Sequence, residues 1–395
     1  MRGRLSAKVR GLEESATLRL TQKARLLRES GVDVVALTAG EPDFPTPAHV
    51  KEAARHAIDT DFTHYTANQG APELIAAVID KFRAENGLLY TPHEVLVSTG
   101  AKQSLFNALT AMLDPGDEVI IPAPYWVSYP AIVQLAGGVP VVVPPTGSFR
   151  PDPAALRGAV TGRTRALIIN TPCNPTGAVW TREEIAAVAA LARDTGVMIV
   201  SDEIYEKMVF DGRAHMSIGA LPLMHDRVVT VNGVSKSYAM TGWRIGFMGG
   251  PGEIISGAAR VQGQVTNNAN SIAQKATVAA LLGPHAPIDA MRDEFQRRRD
   301  FVLGRFAAGG MALPSPEGAM FFLIDVARWL GRSARGKRMD TAADIVEHLL
   351  EHHHVALVPG DAFGAPRHVR MSFAAPAGEL DRGVERILRG LEELK

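Results

Sequence analysis

Short runs rich in valine and isoleucine alternate along this chain with longer stretches of helical periodicity. No other feature restricts the fold as much, because this is the pattern of strands joined by crossover helices in an α/β protein. Residues 94–98, 118–121, 166–170, 197–201, 228–231 and 244–248 are bounded by Gly, Pro, Asn or Asp and read as buried strands. Between them, residues 102–113 place Leu105, Ala108, Leu109 and Met112 on one face, and residues 182–195 run up to Gly196. Both stretches read as crossover helices.

A chain of 395 residues exceeds the size at which one core is usual, so two domains are expected. The texture changes after about residue 285, where a charged helix with Arg297, Arg298 and Arg299 precedes a Gly- and Pro-rich segment and a strand-like run at 320–325. This reads as a second, smaller domain. The polar segment before Pro45 has no obvious place in the central sheet and is expected to fold with the C-terminal part. With 42 basic residues against 42 acidic ones, the chain lacks the positive field of a nucleic-acid or anionic-membrane binder. No apolar stretch approaches the roughly 20 residues of a membrane-spanning helix. No signal-like apolar region follows the first arginines, and the lone Cys173 fits a reducing compartment, so the cytoplasm is the expected location.

In a parallel sheet, ligands bind beyond the carboxyl ends of the strands, so the residues just after each apolar run carry the chemistry. Those residues are Gly100, Ala101 and Lys102 at the start of a helix, Asn174 in Asn174-Pro175-Thr176-Gly177, Asp202 with Tyr205 three positions on, and Ser235-Lys236 followed by Arg244. Singly, an Asp there reads as a turn or cap and a Lys as a solvated charge. Together they form an inventory of acid, phenol, amide, lysine and arginine beside a helix start able to hold an anion. A cofactor with a phosphate, a protonatable ring nitrogen and an aldehyde would engage all of them, and pyridoxal 5'-phosphate has those three groups.

The order of Asn174-Pro175-Thr176-Gly177, Ser201-Asp202-Glu203-Ile204-Tyr205, Ser235-Lys236 and Gly242-Trp243-Arg244-Ile245-Gly246 resembles the class I aminotransferases of fold type I, which depend on pyridoxal phosphate. The likeness runs from Leu37-Thr38-Ala39-Gly40-Glu41-Pro42-Asp43-Phe44 to His368-Val369-Arg370-Met371-Ser372-Phe373. The nearest subgroup is the bacterial aspartate aminotransferases, through Val231-Asn232-Gly233, Ala239-Met240-Thr241-Gly242-Trp243 and Ser15-Ala16-Thr17. The resemblance implies an α/β fold with a large cofactor-binding domain at 46–285, built on a mostly parallel seven-stranded sheet between helices. It also implies a smaller α+β domain made of residues 1–45 and 286–395.

By the same resemblance Lys236 forms the Schiff base and moves the proton at Cα, while Asp202 keeps the ring nitrogen protonated. Tyr205 and Asn174 would bond the ring's phenolic oxygen, and Trp126 would stack on the ring. Gly100, Ala101, Lys102, Ser235 and Arg244 would surround the phosphate, joined by Tyr65 from the neighbouring subunit of a homodimer. Arg370 would grip the substrate α-carboxylate, with Gly40, Trp126 and Asn174 completing the pocket. Lys102, Ser15 and Thr17 would meet a distal carboxylate.

The implied reaction is a ping-pong transfer through pyridoxamine phosphate, from L-aspartate to 2-oxoglutarate, with amino and 2-oxo acids as the small-molecule partners. Broader, aromatic or prephenate specificity, or a lyase on the same fold, are the alternatives. Glu13 stands two positions before Ser15, where prephenate users carry a basic residue, so weak prephenate activity is expected. A regulator with a DNA-binding head is disfavoured because the first motif begins at Leu37.

Three further signals carry less. Residues 331–337 read Gly-x-x-x-x-Gly-Lys, but Arg338 replaces the Ser or Thr of a nucleotide loop, so a basic surface insertion is expected. His352, His353 and His354 are adjacent and cannot all reach one metal from a regular element, so no metal site is expected and a solvated helix end is. The triple-arginine run reads as a polar helix face, and Cys173 as a partly buried, unreactive thiol.

Overall fold

The computed structural model describes residues 5–12, 16–145 and 149–395. The chain opens with helices α1 (Ala7–Arg10) and α2 (Ala16–Glu29) and the short strand β1 (Val35–Ala36). Next come α3 (Ala48–Asp59), α4 (Pro72–Lys81), β2 (Val95–Ser98), α5 (Ala101–Met112), β3 (Glu118–Pro122), α6 (Tyr129–Leu135) and β4 (Val139–Val143). α7 (Pro153–Gly158), β5 (Thr164–Asn170), α8 (Arg182–Thr195), β6 (Met198–Asp202), β7 (Val228–Gly233) and β8 (Gly246–Gly249) follow. Helices α9 (Gly252–Val265), α10 (Ser271–Leu282) and α11 (Ala286–Ala308) lead to β9 (Phe321–Asp325), β10 (Ser333–Ala334) and β11 (Lys337–Arg338). The chain closes with α12 (Ala342–His353), β12 (Val355–Ala356), β13 (Val358–Pro359), β14 (His368–Ser372) and α13 (Ala377–Glu392).

A seven-stranded sheet in the order β2-β8-β7-β6-β5-β3-β4 forms the centre of an α/β fold. Only β8 runs against its neighbours; the pairs from β7 through to β4 are all parallel. Strands β2 and β7 are buried along their whole length, as unbroken apolar runs covered on both faces should be. Edge strand β4 escapes sequence detection because Pro140 interrupts it and Val139 and Val142 face outward. β8 begins at Gly246 rather than at Arg244, because Arg244 is left-handed (φ 57°).

Helix α8 has the span its sequence indicates. Thr181 and Glu184 close a reciprocal capping box at its start, and Gly196 ends it in a left-handed conformation. Helix α5 buries Leu105, Ala108, Leu109 and Met112. Its buried Asn107 bonds Gln262 of α9 at 3.0 Å, and Gln262 in turn donates to the carbonyls of Asn68 and Val97. The Gln262 amide is thus satisfied within the protein, while the Asn107 Oδ1 is buried without a partner.

A separate three-stranded sheet, β13-β14-β9, packs with α11, α12 and α13 around Phe295, Phe306, Phe322, Leu349 and Ile387. β1 pairs in parallel with β12, and the Leu37 carbonyl accepts from the Ser372 amide, so the N-terminal segment is stitched to this C-terminal region.

Two surface expectations are corrected here. Arg298 and Arg299 are buried rather than on a solvated face; only Arg297 of the three is exposed. Arg299 donates to both carboxylate oxygens of Asp211 at 2.6 and 2.7 Å and lies over the Phe210 ring, while Arg298 reaches Asp43 at 2.7 Å and lies over Phe44. Paired heads and packed stems allow arginine to sit inside. Of the three histidines, His352 is exposed but His353 is buried, because α13 crosses at Gly390, where a Cβ would stand 2.9 Å from the His353 ring. The Gly331–Lys337 segment includes the antiparallel β10–β11 hairpin, turning at Arg335 and Gly336 with positive φ, and no helix follows it in the manner of a nucleotide loop.

Candidate active site

The parallel register sets the site. Asn170 at the end of β5 lies opposite Asp202 at the end of β6, and Asp202 lies opposite Val231 near the end of β7, so the strand ends open on one edge. Gly246 of β8 permits the start of α5 to close on that edge, since a Cβ there would stand 2.2 Å from the Ala101 nitrogen. Gly100 caps α5 with φ 85°, and its missing Cβ leaves room for the Arg244 guanidinium, which would otherwise be 2.4 Å away.

A cavity of about 310 Å³ lies above these ends. Gly40, Ala101, Lys102, Trp126, Asn174, Asp202, Tyr205, Ser235, Lys236, Arg244 and Arg370 all line it. Gly100 sits just behind, against Arg244. Tyr65 is 87% exposed and lies outside the cavity. Glu13 and Ser15 fall outside the described residues, as does the side chain of Thr17.

Among the described residues, four basic side chains, Lys102, Lys236, Arg244 and Arg370, line this space with a single carboxylate, Asp202. Such a surplus suits a ligand with more than one negative group. Burial lowers the Lys236 ammonium to about 8, against an opposing pull from Glu41, and its Nζ donates to the Gly40 carbonyl. Burial raises the Asp202 carboxyl to about 6, partly offset by the Tyr129 hydroxyl, which donates to Asp202 Oδ2 at 2.7 Å. Burial also lowers Lys102, with Arg244 adding to the effect, and the Lys102 Nζ stands 4.8 Å from the centre of the Trp126 ring. The Tyr205 phenol is pushed above its usual range by burial.

Arg370 projects from the middle of β14 and is only 2% exposed. Its Nη1 donates to Asn174 Oδ1 and its Nη2 to the Thr38 carbonyl, both at 3.0 Å, while Nε has no partner. Phe321 and Phe363 flank the guanidinium, and burial lowers it to about 10. Among the described residues no carboxylate pairs with it. A buried cation without a counter-ion is costly unless an anion comes to it.

Two contributors escape sequence reasoning. Tyr129 holds Asp202, and Asn170 receives the Asn174 amide on its Oδ1 at 2.8 Å while donating to the Asp202 carbonyl. Both also line the cavity, so they hold their neighbours from within the site itself. The only signal for Asn170 was its place at a strand end, and Tyr129 begins a helix well away in sequence. Cys173 is buried, and burial raises its thiol, which fits an unreactive role.

The family model for aminotransferase class I and II matches residues 32–387. The chain belongs to that family. This aminotransferase is 45% identical over 393 residues to the aspartate aminotransferase of Geobacillus stearothermophilus, covering 98% of this chain and 99% of the relative. It is 46% identical to the aspartate/prephenate aminotransferase of Thermus thermophilus, with 99% of each chain covered. The solved aspartate aminotransferase from Thermus thermophilus with maleate superposes with a TM-score of 0.93 at 46% identity, covering 99% of this chain and 100% of that one. No helix among the described residues of the aminotransferase is long and apolar enough to cross a membrane.

Proposed function

We propose that this aminotransferase moves the amino group of L-aspartate to 2-oxoglutarate, giving oxaloacetate and L-glutamate, with pyridoxal 5'-phosphate held in the cavity described above. The observation that carries the reading is Arg370: a buried, unpaired guanidinium aimed into the space that Lys236 and Asp202 share. An α-carboxylate matches its fork. The solved relative with maleate, a four-carbon dicarboxylate, supports an acidic substrate.

The residues fit the cofactor. The space left by the missing Cβ of Gly100, the fixed charge of Arg244, the Ser235 hydroxyl and the first turn of α5 make a cradle for its phosphate. Asp202, ionised above about pH 6, would pair with the protonated ring nitrogen. Tyr205 and Asn174 would bond the ring oxygen, and Trp126 would cover the ring face. When bound, the cofactor's ring accepts the electrons released as the bond from Cα to hydrogen breaks.

Lys236 is suited to taking that proton, because an amine near 8 is substantially neutral at mildly alkaline pH and becomes an acid again once charged. Lys102, with Ser15 and Thr17, would meet the distal carboxylate. Exposed Tyr65 would serve the second subunit of a homodimer. Residues 46–285 would carry the cofactor, and 1–45 with 286–395 the smaller domain, in a cytoplasmic enzyme.

The test is the visible spectrum of the purified protein before and after L-aspartate, with oxaloacetate assayed in the same sample. Loss of the lysine-bound cofactor band with stoichiometric oxaloacetate is expected. A band that persists would refute aspartate as donor, and no band after adding pyridoxal phosphate, or full turnover in Lys236→Ala, would refute the site. A second acceptor, prephenate, is favoured by the name of the Thermus thermophilus relative. Glu13 opposes it by charge, and a Glu13→Lys variant that gains nothing with prephenate would show that this charge does not discriminate.

A further inference from the structure

Away from the cavity, His348 and His353 project from α12 toward Glu393, which caps α13. The facing donor atoms of the three side chains all lie within 4.8 Å of one another. Glu393 Oε2 is 3.3 Å from His353 Nε2 and 3.8 Å from His348 Nε2. The shorter contact lacks hydrogen-bond alignment, and both Nε2 atoms are buried without a partner. The two side chains are 2% and 6% exposed. Two orphaned nitrogens aimed at one carboxylate oxygen need an explanation, since buried polar atoms normally find partners.

Both unpartnered Nε2 atoms face the same Glu393 oxygen, and Nε2 is a ring atom through which histidine commonly binds metal. Tetrahedral zinc, with bonds of about 2.0–2.2 Å, holds its donors roughly 3.3–3.5 Å apart. The two carboxylate–imidazole separations, 3.3 and 3.8 Å, lie close to that. The other cluster of this kind, Glu203, Glu206 and His215, differs: buried Lys81 and Asn86, with Ser217, hold its carboxylates, whereas Glu393 meets the exposed Arg335.

We propose that His348, His353 and Glu393 bind one zinc-class divalent ion, completed by water, which fastens the end of α12 to the last turn of the chain. None of the three lines the catalytic cavity, so the ion would be structural. The neighbours are His352, whose ring lies 5.3 Å from that of His348, and Arg335 at the tip of the β10–β11 hairpin, whose Nε stands 3.3 Å from the same Glu393 Oε2 and whose Nη2 stands 3.3 Å from Oε1. The arginine competes with the ion for that oxygen. Arg335 has φ 50°, a conformation glycine adopts freely, so Arg335→Gly removes the competitor without strain.

The experiment titrates untagged, chelator-treated holoenzyme with zinc by calorimetry, and with cobalt(II) as a visible reporter of tetrahedral coordination. One zinc per chain and a cobalt ligand-field spectrum are expected. His348→Gln and His353→Gln should each weaken zinc by at least about 10-fold and abolish the cobalt bands, with turnover retained as evidence of folding. Arg335→Gly should bind zinc more tightly. Absence of cobalt bands in the wild type, bands that survive both histidine variants, or weaker binding in Arg335→Gly would overturn the proposal.

Discussion

Replacing Tyr129 with Phe removes one hydroxyl from a fully buried pair and should change the titration of Asp202. The lost bond spans 2.7 Å and ends on a carboxylate. A hydrogen bond to a charged group contributes about 1.5–3 kcal/mol and one between neutral groups about 0.5–1.5, so the hydroxyl favours ionised over protonated Asp202 by about 1–1.5 kcal/mol. At about 1.4 kcal/mol per unit, Tyr129→Phe should raise Asp202 by about one unit. Its midpoint would move from about 6 to the neutral region.

The sign for stability follows. Because burial places the folded value above the usual carboxylate range, the folded state holds its proton where the unfolded chain has lost it. Stability contributed by Asp202 therefore falls as pH rises from the unfolded value through about 6, and the variant extends that fall upward. The assay is carboxyl carbon-13 NMR of aspartate-labelled, cofactor-free protein, with Asp202→Asn identifying the signal. An unchanged or lowered midpoint in Tyr129→Phe would refute the reasoning.

Arg370→Leu should lower kcat/KM for every amino donor by roughly 30-fold to several thousand-fold, the effect of about 2–5 kcal/mol for a buried charge pair, while calorimetry finds the ligand-free protein melting no lower. Gly100→Ala should weaken pyridoxal phosphate binding at least about 10-fold in a fluorescence titration, because the new methyl meets the Arg244 guanidinium at a positive φ. Denaturant melts should separate the arginines of α11: Arg299→Ala loses about 1–3 kcal/mol, chiefly by baring Phe210, since its half-exposed partner Asp211 stays in water, whereas Arg297→Ala stays within about 0.5 kcal/mol.

Much of the centre was legible because strand ends carry chemistry by geometry: once residues 166–170, 197–201 and 228–231 read as parallel strands, Asn174, Asp202 and Lys236 had to share an edge. What stayed hidden depends on packing between segments far apart in sequence. Nothing in the run of three arginines says that Asp43 and Asp211 approach two of them, and nothing near His353 says that α13 crosses at a glycine. Tyr129 is hidden for the same reason, since its hydroxyl acts 73 residues downstream. Arg244 misled in a different way: a strand-like context concealed a left-handed residue whose turn sends the guanidinium back toward Gly100.

The seam that joins Thr38 to Arg370 spans 332 residues of chain. At a synthesis rate of about 5–20 residues per second, the N-terminal half of that contact waits roughly 15–65 s on the ribosome for its partner. For nearly all of the wait β1 has no strand to pair with, since β12 also comes late. Lys236, Asp202 and the start of α5 are by then long made. The emerging chain thus acquires Lys236 and the glycine-started first turn of α5 well before Arg370, the arginine proposed here to meet the substrate carboxylate.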